Sequence, residues 1–150
     1  MAELTVSVDV GASVEEVWAA VTDWPAQREW MVLTDVRDLG DGRLEAFTGW
    51  RGVGFTDPMT VTVWEPPHRC VVAHHGRVVR GSAAFEVVPI ENGARFVWTE
   101  WLTLPFGRLG EIGFAVVRPL VLAPLRLSLR RFAAWVSSRG TSGAPWRGTT

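Results

Sequence analysis

Lysine and tyrosine occur nowhere in this chain of 150 residues. Every basic residue is arginine, a choice from which no function follows. Without tyrosine, the aromatic load falls on nine Trp and seven Phe. Cysteine is almost missing. The lone Cys70 excludes an internal disulfide, and a single thiol suits a reducing cytosol. An excess of charge of one sign is missing too. The net charge is −1, so no global field draws in nucleic acid or an acidic membrane. The N-terminus has no basic region followed by an apolar run, and no signal peptide is expected. The longest apolar stretch, residues 112–127, contains Arg118, Pro119, Pro124 and Arg126, and reads as too short and too interrupted to span a membrane. There is no Gly-rich phosphate loop, Ser elbow or nucleotide fingerprint. These absences leave a cytoplasmic protein, monomer or homodimer, with no nucleic-acid partner and no stable membrane insertion.

The length is that of one domain, and such a chain buries roughly 70% of its unfolded surface, enough for a true core. The hydrophobic fraction of 47% and charged fraction of 21% are ordinary for a globular protein. Residues 13–25 are the most informative segment. Ser13 and Glu16 form a capping box at a helix start. Val14, Val17, Trp18 and Val21 make one apolar stripe, and Pro25 stops the helix at Trp24. Residues 3–10 alternate as a half-buried strand, and residues 25–29 suit one more helical turn. Strands follow at 32–39 and 43–49, joined at Gly40-Asp41-Gly42. Residues 50–56, rich in glycine, read as a loop or irregular strand end. Further strands are expected at 59–64, 69–75, 79–88 and 95–104.

From about 106 to 138 the period becomes helical, with Leu109, Ile112, Val116, Leu120, Leu127, Phe132, Ala133 and Val136 expected on one face. Pro119 and Pro124 predict a kink or break, then a regular segment that ends at Gly140. Residues 1–139 make the domain, and 140–150, rich in Gly, Ser, Thr and Pro, read as a flexible tail. The order of elements is that of an α+β layer architecture, an antiparallel sheet with helices on one face.

This order resembles the START-related, birch-pollen-allergen-like superfamily, which includes the polyketide cyclase/dehydrase type (SRPBCC). The resemblance covers about residues 2–138. It rests on the entry segment 13–25, on Val63-Trp64-Glu65-Pro66-Pro67 closing the middle strand, and on Gly93-Ala94-Arg95-Phe96-Val97-Trp98 opening the last strand. It implies a helix-grip fold: a seven-stranded curved antiparallel sheet wrapped around a long C-terminal helix, with two short helices after strand 1. It further implies a hydrophobic cavity between sheet and helix. Members bind lipids, steroids, polyketides, quinones or hormones, and some cyclise and dehydrate polyketides.

Strand alternation assigns the inward faces. Arg95 follows a turn and belongs in solvent, which puts Phe96, Trp98, Glu100 and Leu102 inside. By the same parity Phe85, Val87, Val72 and His74 face inward, although a slip of one residue exchanges His74 for His75. Glu100, between Trp98 and Leu102, is a candidate acid/base or polar anchor, against the reading of a solvated strand end. His74 is the second catalytic candidate, against a satisfied strand histidine. Arg51, in its Gly-rich loop, is a candidate lid residue and ligand contact, against a plain surface loop. Leu109, Val116 and Leu120 of the helix complete the expected ligand wall. His74 and His75 point to opposite faces and cannot share a metal, so neither a metal nor a cofactor is expected. Three functions follow from the resemblance: binding of a small hydrophobic ligand, a cyclase/aromatase enzyme, or a lipid/quinone chaperone or toxin-like protein partner.

Overall fold

The computed structural model describes residues 1–142, with side chains through Arg139. The capping box forms as the sequence dictates. Ser13 Oγ accepts from the Glu16 amide at 3.1 Å, and Glu16 Oε2 accepts from the Ser13 amide at 3.1 Å. It starts α1, Val14–Val21, which buries Val17, Trp18, Ala20 and Val21. A 3₁₀ turn, Trp24–Glu29, follows directly.

Seven strands make one antiparallel sheet: β1 (Ala2–Val10), β2 (Thr34–Gly40), β3 (Arg43–Trp50), β4 (Val53–Glu65), β5 (Arg69–His75), β6 (Arg80–Ile90) and β7 (Gly93–Leu102). Their spatial order is β1-β7-β6-β5-β4-β3-β2, so the first strand closes against the last and the others run as a meander. The single long helix, α2, spans Gly107–Ser142. The fold is the helix-grip α+β architecture, a curved open sheet with a long C-terminal helix.

The core is aromatic. Phe132 of α2 sits 5.0 Å from Trp30 and 5.1 Å from Phe96 of β7 between ring centroids, and all three are fully buried. Ser128 ties the helix to the chain after the 3₁₀ turn: its Oγ donates to the Pro124 carbonyl at 2.8 Å and accepts from the Val32 amide at 3.0 Å.

Four expectations are corrected. First, β4 begins at Val53 rather than at 59, so of the two readings of residues 50–56, loop or irregular strand end, 53–56 takes the strand. Gly49 and Gly54 face each other across the β3–β4 pair, where an added Cβ would meet backbone at 2.3 Å and 2.1 Å. These glycines mark close strand approach, not a loop. Second, of the kink or break expected at the two prolines, the break does not occur: α2 runs through Pro119 and Pro124 as one helix. The carbonyls that lose a partner, those of Ala115 and Leu120, lie on exposed turns where water can take over the bond. Third, α2 continues through Gly140 to Ser142, while the remainder of the expected tail, 143–150, lies outside the described residues. Fourth, the inward face of the helix between Phe114 and Leu129 is the opposite one. Phe114, Val121, Leu122, Leu125 and Leu129 turn inward, while Leu109, Ile112 and Val116 are exposed. This half of α2 is apolar all round, so periodicity gives it no phase. The same property makes α2, among the described residues, long and apolar enough to cross a membrane by length and composition, where the interrupted run alone read as too short.

Candidate functional site

A cavity of about 480 Å³ lies between the sheet and the middle of α2. Leu44, Ala46, Phe55, Met59, Val72, Ala83, Phe85, Trp98 and Leu102 supply its sheet wall, and Val121, Pro124 and Leu125 its helix wall. Leu120 also lines it while remaining 76% exposed, so the cavity reaches the surface beside this residue.

The wall carries one cluster of ionisable groups: Asp57 of β4, His74 of β5 and Glu100 of β7. Sheet register assembles it. Met59 pairs with His74, so Asp57 sits one inward position further along β4. His74 pairs with Gly81 of β6, and Glu100 pairs with Ala83. Glycine and alanine leave the surface of β6 low, and the imidazole reaches over it to the next strand. Its Nε2 lies 3.2 Å from Glu100 Oε2, and its Nδ1 lies 2.5 Å from Asp57 Oδ2. Trp98 Nε1 donates to Glu100 Oε1 at 2.8 Å. The His74 side chain is only 7% exposed.

Burial by itself would lower the basicity of His74. Hydrogen bonds to Asp57 and then Glu100, with the charges of both carboxylates, outweigh it and raise the pKa to about 9. At neutral pH the ring is therefore an imidazolium with both N–H groups donated. It can give up a proton but cannot accept one. The Asp57 side chain is 8% exposed, and its second oxygen, Oδ1, is buried without a hydrogen-bond partner among the described residues. His75 points to the other side of the sheet and meets Thr60 Oγ1 at 3.1 Å.

The expected residues separate into three groups. His74, Glu100, Trp98, Leu102, Phe85, Val72 and Leu120 line the cavity. Phe96 and Val87 face the same side of the sheet but are fully buried in the core, outside the cavity wall, because Phe132 and Trp30 fill the space in front of Phe96. Arg51, Leu109 and Val116 are elsewhere. Arg51 occupies the β3–β4 turn with φ of 51° and stacks on exposed Trp50 at 4.4 Å. Leu109 is 77% exposed, a consequence of the helix phase. Asp57 is the site residue the sequence reading missed. Its signal was parity with Met59, hidden because the strand was started too late. Cys70 is buried, with its thiol pushed up to about 12 by burial, and acts as a small core side chain. No group of metal-ligating side chains occurs among the described residues.

A family model described as polyketide cyclase / dehydrase and lipid transport matches residues 1–136. No curated protein matches the chain by sequence. Solved structures share the architecture. A Mycobacterium smegmatis protein, Ms6760, superposes with a TM-score of 0.69 at 16% identity, covering 91% of each chain. A Rhodobacter sphaeroides protein gives 0.71 at 17% identity, over 91% of this chain and 92% of its own. The di-domain ARO/CYC StfQ of the steffimycin biosynthetic pathway gives 0.71 at 13% identity, with 93% of this chain lying on 52% of that one. Identities this low speak to fold alone.

Proposed function

The chain belongs to the polyketide cyclase/dehydrase and lipid transport family, and on that premise we propose that it binds a small hydrophobic or aromatic ligand of lipid, polyketide or quinone-like type. The domain of residues 1–139 holds this ligand between the sheet and α2. One observation carries the reading: a cavity of about 480 Å³ walled mostly by apolar side chains, with one cluster of ionisable groups, Asp57, His74 and Glu100, in its wall. That combination is what small-molecule sites need, since apolar burial supplies affinity and a few polar groups fix orientation. Burial contributes about 25 cal/mol for each Å² of apolar surface removed from water. A cytoplasmic location belongs to the same proposal. In it α2 is a core helix, because Leu122, Leu129, Phe132 and Val136 are buried.

Titration with naphthalene, followed through tryptophan fluorescence, tests this reading. Ala83 lies in the cavity wall and is 3% exposed. Saturable binding to the parent chain is expected, with at least about tenfold weaker binding to a folded Ala83→Trp variant that fills the space. Equal binding by both proteins contradicts the proposal.

A second reading, a cyclase of the aldol type, is favoured by the His74–Glu100 pair in the cavity wall. The likeness to an ARO/CYC protein is consistent with it. Glu100 would take a proton from the carbon beside a ketone, and His74 would give its proton to the carbonyl oxygen that the new carbon–carbon bond turns into a hydroxyl, before water leaves. Among the described residues no arginine lines the cavity to steady an enolate. Turnover of a poly-β-keto thioester that disappears in Glu100→Gln supports this reading, and absence of turnover by the parent chain opposes it.

A further inference from the structure

Exposed apolar side chains gather at one end of the sheet. Because the strands alternate in direction, the β3–β4 turn, the β5–β6 turn and the β7–α2 connection all leave that end. Trp50 and Val53 project from the first, Val78 from the second and Phe106 from the third, and all are exposed. Phe106 is held there with φ of 65°, a left-handed conformation costly for a bulky residue. The first turns of α2 continue the surface. Leu109, Ile112, Val116 and Leu120, at i, i+3, i+7 and i+11, form one exposed stripe. The other side of the same helix, with Phe114, Val121 and Leu125, packs on the core. A contiguous apolar patch of this kind marks an interaction surface.

The charge at this end selects the partner. The same segments carry Arg51, Arg77, Arg80, Arg108 and Arg118, all exposed, against a single acidic residue, Glu111. Glu111 itself lies 3.6 Å from the N-terminal amine. The overall net charge of −1 conceals this local excess of positive charge. A second copy of the chain does not suit the face, since two-fold pairing would set arginines against arginines. An anionic bilayer answers both features: its phosphates attract the arginines, and its acyl chains take the stripe. The cavity opens on this same surface, where Phe55, Val79 and Leu120 line it.

We propose that this end of the protein docks reversibly on an anionic lipid surface, with the Leu109–Leu120 stripe and the exposed turns dipping below the head groups. α2 lies on the bilayer rather than across it, because its other side stays in the core. The mouth beside Leu120 then faces lipid, and an apolar guest can pass into the cavity without crossing water. The docking goes beyond the ligand proposal and holds whatever the cavity contains.

Co-sedimentation with vesicles tests it. The parent chain should bind equimolar phosphatidylglycerol and phosphatidylcholine about tenfold or more tightly than phosphatidylcholine alone, and added salt should weaken that binding. Leu109→Asp combined with Val116→Asp should weaken it about tenfold or more. Both side chains are exposed, so the urea midpoint should hold. An environment-sensitive fluorophore on Val116→Cys should shift to the blue on anionic vesicles, while the same label on Leu39→Cys, in β2 at the opposite end, should not. Buried Cys70 does not compete for the label. No binding to anionic vesicles, equal binding by the double variant, or an unshifted label at Val116→Cys overturns the proposal. A dimer that forms without vesicles and is lost in the double variant overturns it too, and gives the face to a second copy. None of these results bears on the naphthalene titration of the cavity, and the labelled proteins decide the matter even if the double variant does not fold.

Discussion

Raising the pH should destabilise this protein well before its arginines lose charge, and His74 is the reason. Its pKa is 6.5 in an unstructured chain and about 9 in the fold. A basic group whose folded pKa is raised stabilises fully below the unfolded value, and its contribution disappears as pH rises through the folded value. The whole shift corresponds to about 3 kcal/mol. Between about pH 7 and pH 8.5 the folded state holds nearly one proton more than the unfolded state, and unfolding free energy should fall by about 2 kcal/mol. Cys70 acts in the same direction but later. Its thiol moves from 9.0 to about 12, so that contribution is lost only above about pH 9. Urea unfolding at several pH values, read by tryptophan fluorescence with the denaturant slope held constant, measures the effect. His74→Asn should flatten the curve in this window. A flat profile for the parent chain, or a His74 imidazole that titrates near 6.5 by NMR, would refute the reasoning.

Other perturbations have signs set by the packing. Phe132→Ala removes a fully buried ring that touches Trp30 and Phe96, and should cost about 3–5 kcal/mol in chemical denaturation. Ser13→Ala breaks the capping box of α1 and should cost about 1 kcal/mol in the same assay. Trp98→Phe keeps most of the ring but leaves Glu100 Oε1 without its donor, and should cost about 1–3 kcal/mol.

Much of this fold was legible because the strands alternate cleanly. The 69–75 strand has the bounds that its pattern implies, and the parity of Phe96 and Trp98 puts both rings on the inner side of the sheet. The β4 start was hidden because Gly49, Gly52 and Gly54 read equally as a loop or an irregular strand end, whereas two of them are there to let strands approach. That one error concealed Asp57, and with it the partner that fixes the charge of His74. The helix was legible in length but not in phase. From Phe132 to Val136 polar neighbours define an inner face, while from Leu109 to Leu120 apolar residues occur on every side. Contacts between distant residues, such as Ser128 with the Val32 amide, have no local pattern from which to be read.

The central claim is that an apolar guest enters the space between the sheet and α2. Methionine-methyl NMR reports on it directly, because Met31 and Met59 line the cavity while Met1 lies outside it. Titration with naphthalene should shift the Met31 and Met59 methyl signals saturably and leave Met1 in place. Unmoved Met31 and Met59 signals at saturating probe would contradict the account.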